Sequence, residues 1–214
     1  MHRDIVLDWA KCNGITVAES RLDLLEAHQN FVLEVNKNMN LTAIIDETEF
    51  AVKHIIDSMT LLPYLSQGAS LADIGSGAGF PGIVIKIMRD DLNVTLIESR
   101  QKKADFLKKA VDKLKIKAEV FNSRAEDLPS MGIEFDICVA RAVAPLDKLI
   151  KYALPLVRPG GLFLAMKGPE ISGELEKAKP ALLKKGGVIE KIDTVEITDG
   201  LKRSIVAIRK NEED

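Results

Sequence analysis

The 214-residue chain is short of several things, and each shortage excludes something. It has two cysteines, Cys12 and Cys138, far apart in sequence. That leaves no disulfide framework and suits a reducing compartment such as the cytoplasm. Its three histidines do not cluster, and neither cysteine has zinc-ligand spacing, so no metal is expected. No apolar run reaches membrane-spanning length. The opening MHRDIVLDWAKCNG carries acids and lacks the apolar core of a cleavable leader. Net charge is only −2, which argues against a surface coated with basic residues for nucleic acid. The length allows one sizeable domain, or one domain with a small extension. Hydrophobic content of 46% and charged content of 29% are those of an ordinary globular chain.

What is present falls into two stretches, a helical segment over 1–66 packed on a core domain over 67–214. In the first, Thr16 and Glu19 have capping-box spacing. Leu22, Leu25, Gln29, Val32 and Val35 follow with helical period. NKNMNLTAI is an Asn-rich connector. Asp46 and Glu49 suggest a second cap, before a helix carrying Phe50, His54, Met59 and Leu62. From Ser70 the rhythm changes. SLADI, NVTLIES, AEVFN, FDICVA and, after a Gly-Gly turn, GGLFLAMKG read as strands. Helices are predicted from Pro81 to Arg89 and over RQKKADFLKKAVDKLKI, LDKLIKYALPLV and GELEKAKPALLKK. Such alternation implies a parallel sheet with helices on both faces. The final strands, GVIEKIDTVEI and RSIVAIRK, are joined by a short TDG and must form an antiparallel hairpin, because a parallel crossover needs a dozen or more residues. The NEED tail is expected to be disordered.

Between the first strand and its helix lies DIGSGAGFPG, Asp73 to Gly82, with four glycines in ten residues. A strand ending in Gly-x-Gly-x-Gly and opening a helix brings bare backbone to a ligand at the sheet's carboxyl edge. Two ligand classes fit. GAGFPG matches the dinucleotide pattern, and Glu98 ends the next strand where an acid would take ribose hydroxyls. S-adenosylmethionine would use the same acid. Three features favour this methyl donor. Asp73 extends the motif to Asp-x-Gly75-x-Gly77-x-Gly79, with Ser76 inside the turn, and its carboxylate faces a cationic donor directly or through water. SRAEDL, after the third strand, offers an acid to the adenine amine. The terminal hairpin completes a Rossmann-like, seven-stranded, mostly parallel methyltransferase sheet.

The sequence resembles the RsmG (GidB) family, which methylates N7 of a guanine in bacterial small-subunit ribosomal RNA. The resemblance rests on NLTAI (40–44), HIIDSM (54–59), DIGSGAGFPGI (73–83), SRAED (123–127), ARAVAPL (140–146) and MKG (166–168), in that order over most of the chain. It implies donor contacts at Gly75, Phe80, Ala125, Glu126 and Arg141. It implies 16S ribosomal RNA as partner, free or within an assembling small subunit, with no membrane and no obligate protein partner. Glu98 stands where many relatives are expected to have aspartate; either carboxylate accepts ribose hydrogen bonds.

The segment after the fourth strand, CVARAVAPL, lacks the Asn/Asp-Pro-Pro-aromatic run common in amine methylation. Cys138 lies within the strand, suiting a buried small residue better than a nucleophile. Guanine N7 carries its own lone pair, so alignment alone serves and no obligatory base is needed. Arg141 is the candidate orienting residue, toward the donor or guanine O6; its alternative is a surface ion pair. Lys167 contacts phosphate or is merely solvated. Asn40 and His54 border an RNA pocket, or only cap and pack helices. Arg100 to Lys117 holds eight Lys/Arg against Asp105 and Asp112. Lys102, Lys103, Lys108 and Lys109 therefore form either an RNA-tracking surface or a solvated helix face. Another acceptor, a nicotinamide oxidoreductase and a non-catalytic RNA binder stay open.

Overall fold

The computed structural model describes residues 1–198 and 200–212. Seven strands form one sheet in the order β3-β2-β1-β4-β5-β7-β6. β1 (Ser70–Ile74), β2 (Asn93–Ile97), β3 (Ala118–Phe121), β4 (Phe135–Arg141) and β5 (Val157–Lys167) are parallel. β7 (Leu201–Lys210) runs antiparallel between β5 and β6 (Gly187–Thr198). Ile74 pairs with Ile97 on one side and Ala140 on the other. The order reverses direction between β1 and β4, so a crevice opens at their carboxyl ends.

Strand side chains alternate between two cores. Leu71, Ile137, Val139 and Leu164 join one; Ala72, Cys138, Ala140 and Phe163 join the other. The first core also takes in α1 (Arg3–Cys12), α2 (Glu19–Asn36), α5 (Gly82–Met88) and α6 (Gln101–Leu114) through Val6, Leu22, Ile83 and Leu107. The second is closed by α7 (Leu146–Ala153) and α8 (Ser172–Lys185). Between α2 and β1 the chain forms α3 (Glu47–Phe50), a π-helical stretch (Ala51–Ile56) and α4 (Asp57–Met59), which lie end to end.

Local chemistry explains the boundaries. Asp46 caps α3, its carboxylate accepting from the Glu49 amide at 2.9 Å. Thr16 does not cap α2. That helix starts at Glu19 behind an extended Ala18, which leaves Thr16 outside the position where a side chain reaches the first free amides. Pro81 precedes α5 rather than opening it. Gly160 and Gly161 lie inside β5, not before it, where the pairing with β4 slips between Phe135 and Ile137. A side chain on Gly161 would meet the Asp136 carbonyl at 2.8 Å, so only glycine permits this irregularity. Of the terminal turn, Asp199 lies outside the described residues. So do residues 213–214 of the tail, while the Asn211 amide donates to the Gly186 carbonyl at 2.7 Å.

Candidate active site

The glycine turn leaves β1 at Ile74. Gly75 and Gly77 have positive φ, +73° and +55°, a conformation costly for other residues. A Cβ on Gly77 would have only the Gly75 carbonyl oxygen nearby, at 3.8 Å, so the space before it is open. A Cβ on Gly75 would stand 2.8 Å from Val143 Cγ2. Glu98 holds the turn from the β2 side. Its carboxylate accepts from the Gly77 amide at 3.1 Å and the Arg100 amide at 2.8 Å. Asp73 is fully buried beneath the turn. Its Oδ2 accepts from the Gly82 amide at 2.9 Å, and its Oδ1 has no partner. Burial pushes this carboxyl up to about 6. Ser76 Oγ donates to the Asp73 carbonyl at 2.9 Å.

Two cavities meet at Gly75. The larger, of about 630 Å³, is lined by the turn, by Phe80, Thr42 and His54 from the N-terminal side, and by Arg141, Lys167 and Arg203 from β4, β5 and β7. The smaller, of about 180 Å³, includes Ala125, Glu126 and Tyr152. Val143 lines the smaller cavity and touches the shared glycine, while its neighbour Ala142 lines the larger with a positive φ of 54°. Because both include Gly75, the two cavities adjoin at the carboxyl end of β1. Gly77 lines the larger cavity, whereas Asp73 and Glu98, 0% and 6% exposed, line neither and brace the turn through the Gly82 and Gly77 amides.

The larger cavity has a fixed ionic floor. Asp57, at 0% exposure, accepts from Arg141 Nη1 at 2.9 Å and from Arg203 Nε and Nη2 at 2.8 and 3.0 Å. Arg141 also donates to the Lys53 carbonyl at 2.8 Å and to His54 Nδ1 at 3.0 Å. Because arginine only donates, His54 Nδ1 must accept, which places its proton on Nε2, facing Thr42 Oγ1 at 2.8 Å. Burial, with the Arg141 charge and then His28, lowers the His54 pKa to about 3, so the ring is neutral. It stacks on Phe80 with centroids 4.5 Å apart, and Arg141 sits over the same ring at 5.4 Å. His28, beyond Phe80, donates to the Ala78 carbonyl at 3.0 Å; burial lowers its pKa to about 4.

Several sequence candidates therefore converge: Gly75, Ser76, Gly77, Phe80, His54, Arg141 and Lys167 line one cavity. Arg141 is no surface ion pair; it is a tie between β4 and the N-terminal segment. Lys167 is not a solvated lysine either. It donates to Glu174 and to the Ala144 carbonyl, both at 2.7 Å, with its side chain 10% exposed. Asn40 is exposed and does not line the cavity. Asn36 shapes that loop instead, accepting from the Leu41 and Thr42 amides and donating to the Thr42 carbonyl. Lys102, Lys108 and Lys109 are exposed on α6, Lys103 is half-buried, and none lines the larger cavity. Cys138 is fully buried, and burial raises its thiol pKa. Sequence reasoning gave no role to Asp57, His28 or Arg203. One signal existed for Asp57: a lone carboxylate inside HIIDSM must be paired if that face is buried.

Among the described residues no group of three or more His, Cys, Asp or Glu is arranged for a metal, and no helix is long and apolar enough to cross a membrane. A methyltransferase from Pyrococcus furiosus has this fold at a TM-score of 0.59 and 17% identity, covering 87% of this chain and 98% of that one. TYW2 from M. jannaschii, solved in complex with AdoMet, matches at 0.59 and 14%, covering 73% and 76%. Proteins named ribosomal RNA small subunit methyltransferase G are much nearer in sequence. That of Pelotomaculum thermopropionicum is 43% identical over 97% of this chain and 90% of its own length. That of Moorella thermoacetica is 39% identical over 94% and 87%. The family model for rRNA small subunit methyltransferase G matches residues 21–206, so the chain belongs to that methyltransferase family.

Proposed function

We propose that the protein transfers a methyl group from S-adenosylmethionine to N7 of one guanine in 16S ribosomal RNA, in the cytoplasm. The observation that carries the choice of atom is that, among the described residues, no side chain lining the larger cavity is poised as a base. His54 is neutral, with both ring nitrogens engaged. Asp57 is paired with two guanidiniums, and Glu174 with Lys167 and the Leu146 amide. An acceptor in such a cavity must bring its own lone pair. Guanine N7 does, whereas an amine, a ring carbon or a ribose hydroxyl needs a proton removed or a nucleophile added.

When bound, the sulfonium supplies an electrophilic methyl, whose bond to sulfur breaks as the bond to N7 forms, with no proton released at that nitrogen. The chain's contribution is placement, a source of up to roughly 7–11 kcal/mol. Gly75, Ser76 and Gly77 present backbone to the donor. Glu98 takes its ribose hydroxyls, Ala125 and Glu126 flank its adenine, and Asp73 bears on its cationic end through the turn. Phe80 and Arg141 wall the junction where the methyl meets the base. Residues 1–66 act as a segment completing the acceptor side of the domain at 67–214, through His54 and Thr42. Lys102, Lys103, Lys108 and Lys109 hold RNA backbone farther out.

The test is methyl transfer to small-subunit RNA from cells lacking this protein, with the modified base mapped. Placing 7-deazaguanine at that base removes the attacking nitrogen and keeps O6 and the exocyclic amine. It should bind and accept no methyl. Normal incorporation would rule out N7.

A further inference from the structure

The larger cavity contains two guanidiniums, and they are not equally committed. Arg141 Nη1 spends both hydrogens, on Asp57 and the Lys53 carbonyl, and Nη2 spends one on His54. Its side chain is 12% exposed. Arg203 meets Asp57 through one edge only, Nε and Nη2. Its Nη1 makes no hydrogen bond to the described residues, and the side chain is 24% exposed and lines the cavity. Asp57, wholly buried, thus grips one edge of Arg203 in two-point geometry, and the adjacent edge, Nη1 with the second Nη2 hydrogen, remains to meet a ligand.

We infer that Arg203 is the specificity-determining residue of the acceptor site, donating from its free edge to O6 of the target guanine. This deepens, and rests on, the reading that N7 is methylated. The Hoogsteen edge of guanine offers two acceptors, N7 and O6, whereas adenine offers N7 beside an amino donor. If N7 must stay free to attack, O6 is the one acceptor left on that edge. A group having only donors accepts guanine and repels adenine, whose amino hydrogens it would face. Arg203 is such a group, and it cannot lose its proton. Its setting favours a base edge over a phosphate. A carboxylate without solvent contact holds the guanidinium in one orientation, on the wall of the cavity that the glycine turn also lines. The exposed ammonium groups of α6 are the residues built to follow a flexible backbone. Arg141, with one Nη2 hydrogen and its Nε–H left over, is the wall beside Phe80 rather than the reader of O6.

The experiment is a cycle between protein and base. Small-subunit RNA is prepared by splint ligation with guanine or 2-aminopurine at the methylated position. The analogue keeps N7 and the 2-amino group and lacks O6. For the wild-type protein the analogue should lower kcat/KM by roughly tenfold or more, the scale of one well-made base contact. For Arg203→Gln the guanine RNA should lose a similar factor, and the analogue should then cost little more. Arg203→Lys, which keeps charge without the fixed fork, should also lose most of the preference for O6. If the analogue costs the same factor in wild type and variant, Arg203 does not read O6. If Arg203→Gln turns over too slowly, the same cycle is read in RNA affinities, with the same two outcomes. Donor affinity and melting temperature show that the fold persists; if Arg203→Gln does not fold, Arg203→Lys carries the cycle. The 7-deazaguanine RNA is run alongside: methylation of it would overturn the N7 reading, whatever the cycle shows.

Discussion

Arg141 and Arg203 carry the same sign of charge as the lysines of α6 and sit in the opposite setting. The two guanidiniums converge on one buried carboxylate and are tied to three segments distant in sequence, α4, β4 and β7. Lys102, Lys108 and Lys109 stand on a helix face with solvent around them. A fixed cation in a cavity discriminates between ligands by geometry, because it cannot follow a wrong one. A mobile surface cation adds attraction that any phosphate satisfies and salt weakens. Under the proposed function, the cavity would set the identity of the base and the helix the affinity for RNA. The net charge of −2 does not conflict with that proposal: 30 Lys/Arg are offset by 32 Asp/Glu, and the cations are locally concentrated.

The sharpest way to break this comparison is to remove Asp57. Asp57→Ala leaves two guanidiniums facing each other without their counter-charge and should cost about 3–5 kcal/mol, the range for breaking a buried pair. Urea unfolding measures it. A loss under 1 kcal/mol would show that the cavity arginines are as loosely held as the lysines.

Next in size is the response to acid. His28 and His54 are depressed in the fold, to about 4 and about 3, from an ordinary 6.5. The unfolded chain therefore binds their protons first. Stability is full above pH 6.5 and falls as pH drops toward 4. His28 alone contributes on the order of 3 kcal/mol to that fall, at 1.36 kcal/mol per pKa unit. Asp73 works against it. Its folded pKa is raised from 3.8 to about 6, so the fold gains from protonating it over that interval. The net result should be a decline that begins near pH 6.5 and is steepest about one pH unit lower, once both histidines are protonated in the unfolded chain. His28→Leu should flatten it; an unchanged slope in that variant would mean His28 does not titrate as its burial requires.

Glu98→Ala should weaken donor binding by about 1–3 kcal/mol, the range for a hydrogen bond to a charged group. It frees the Gly77 amide at the same time, so the loss should shrink for a donor analogue lacking both ribose hydroxyls but not vanish. An equal loss for both donors would separate Glu98 from the ribose. The smallest effect belongs to the lysines. Reversing Lys102, Lys103, Lys108 and Lys109 should lower RNA affinity, flatten its dependence on salt and leave donor affinity alone. The parent's salt slope in the variant would reduce α6 to a solvated face.

The two regions also differ in how far the sequence discloses them. Strands and helices were legible because local pattern encodes them: the short apolar run in FDICVA and the spacing of Ala104, Leu107 and Leu114 need no partner to be read. The glycine turn was legible for the same reason, as a local anomaly. α6 announced its charge in one stretch. The cavity floor did not. Asp57, Arg141 and Arg203 are separated by 84 and 62 residues, and only the placement of β7 beside β5 brings Arg203 to the same carboxylate. Lys167 reads equally as a phosphate contact or a solvated lysine, because its partner Glu174 enters from α8. Asn40 reads as bordering an RNA pocket or capping a helix, whereas Asn36, four residues earlier, makes the bonds that shape the loop. Even the Gly160-Gly161 pair, plainly visible, was assigned to a turn when its glycines serve a close approach to the neighbouring strand.

If the proposed function holds, the open space before Gly77 belongs to the methyl donor. Calorimetric titration of S-adenosylmethionine into the wild-type protein and into Gly77→Val tests it, with far-UV circular dichroism and melting as the check on folding. The account predicts one binding site in the wild type and none measurable in a variant that remains folded. Absence of binding in the wild type, or an unchanged affinity with a valine side chain in that space, would contradict it.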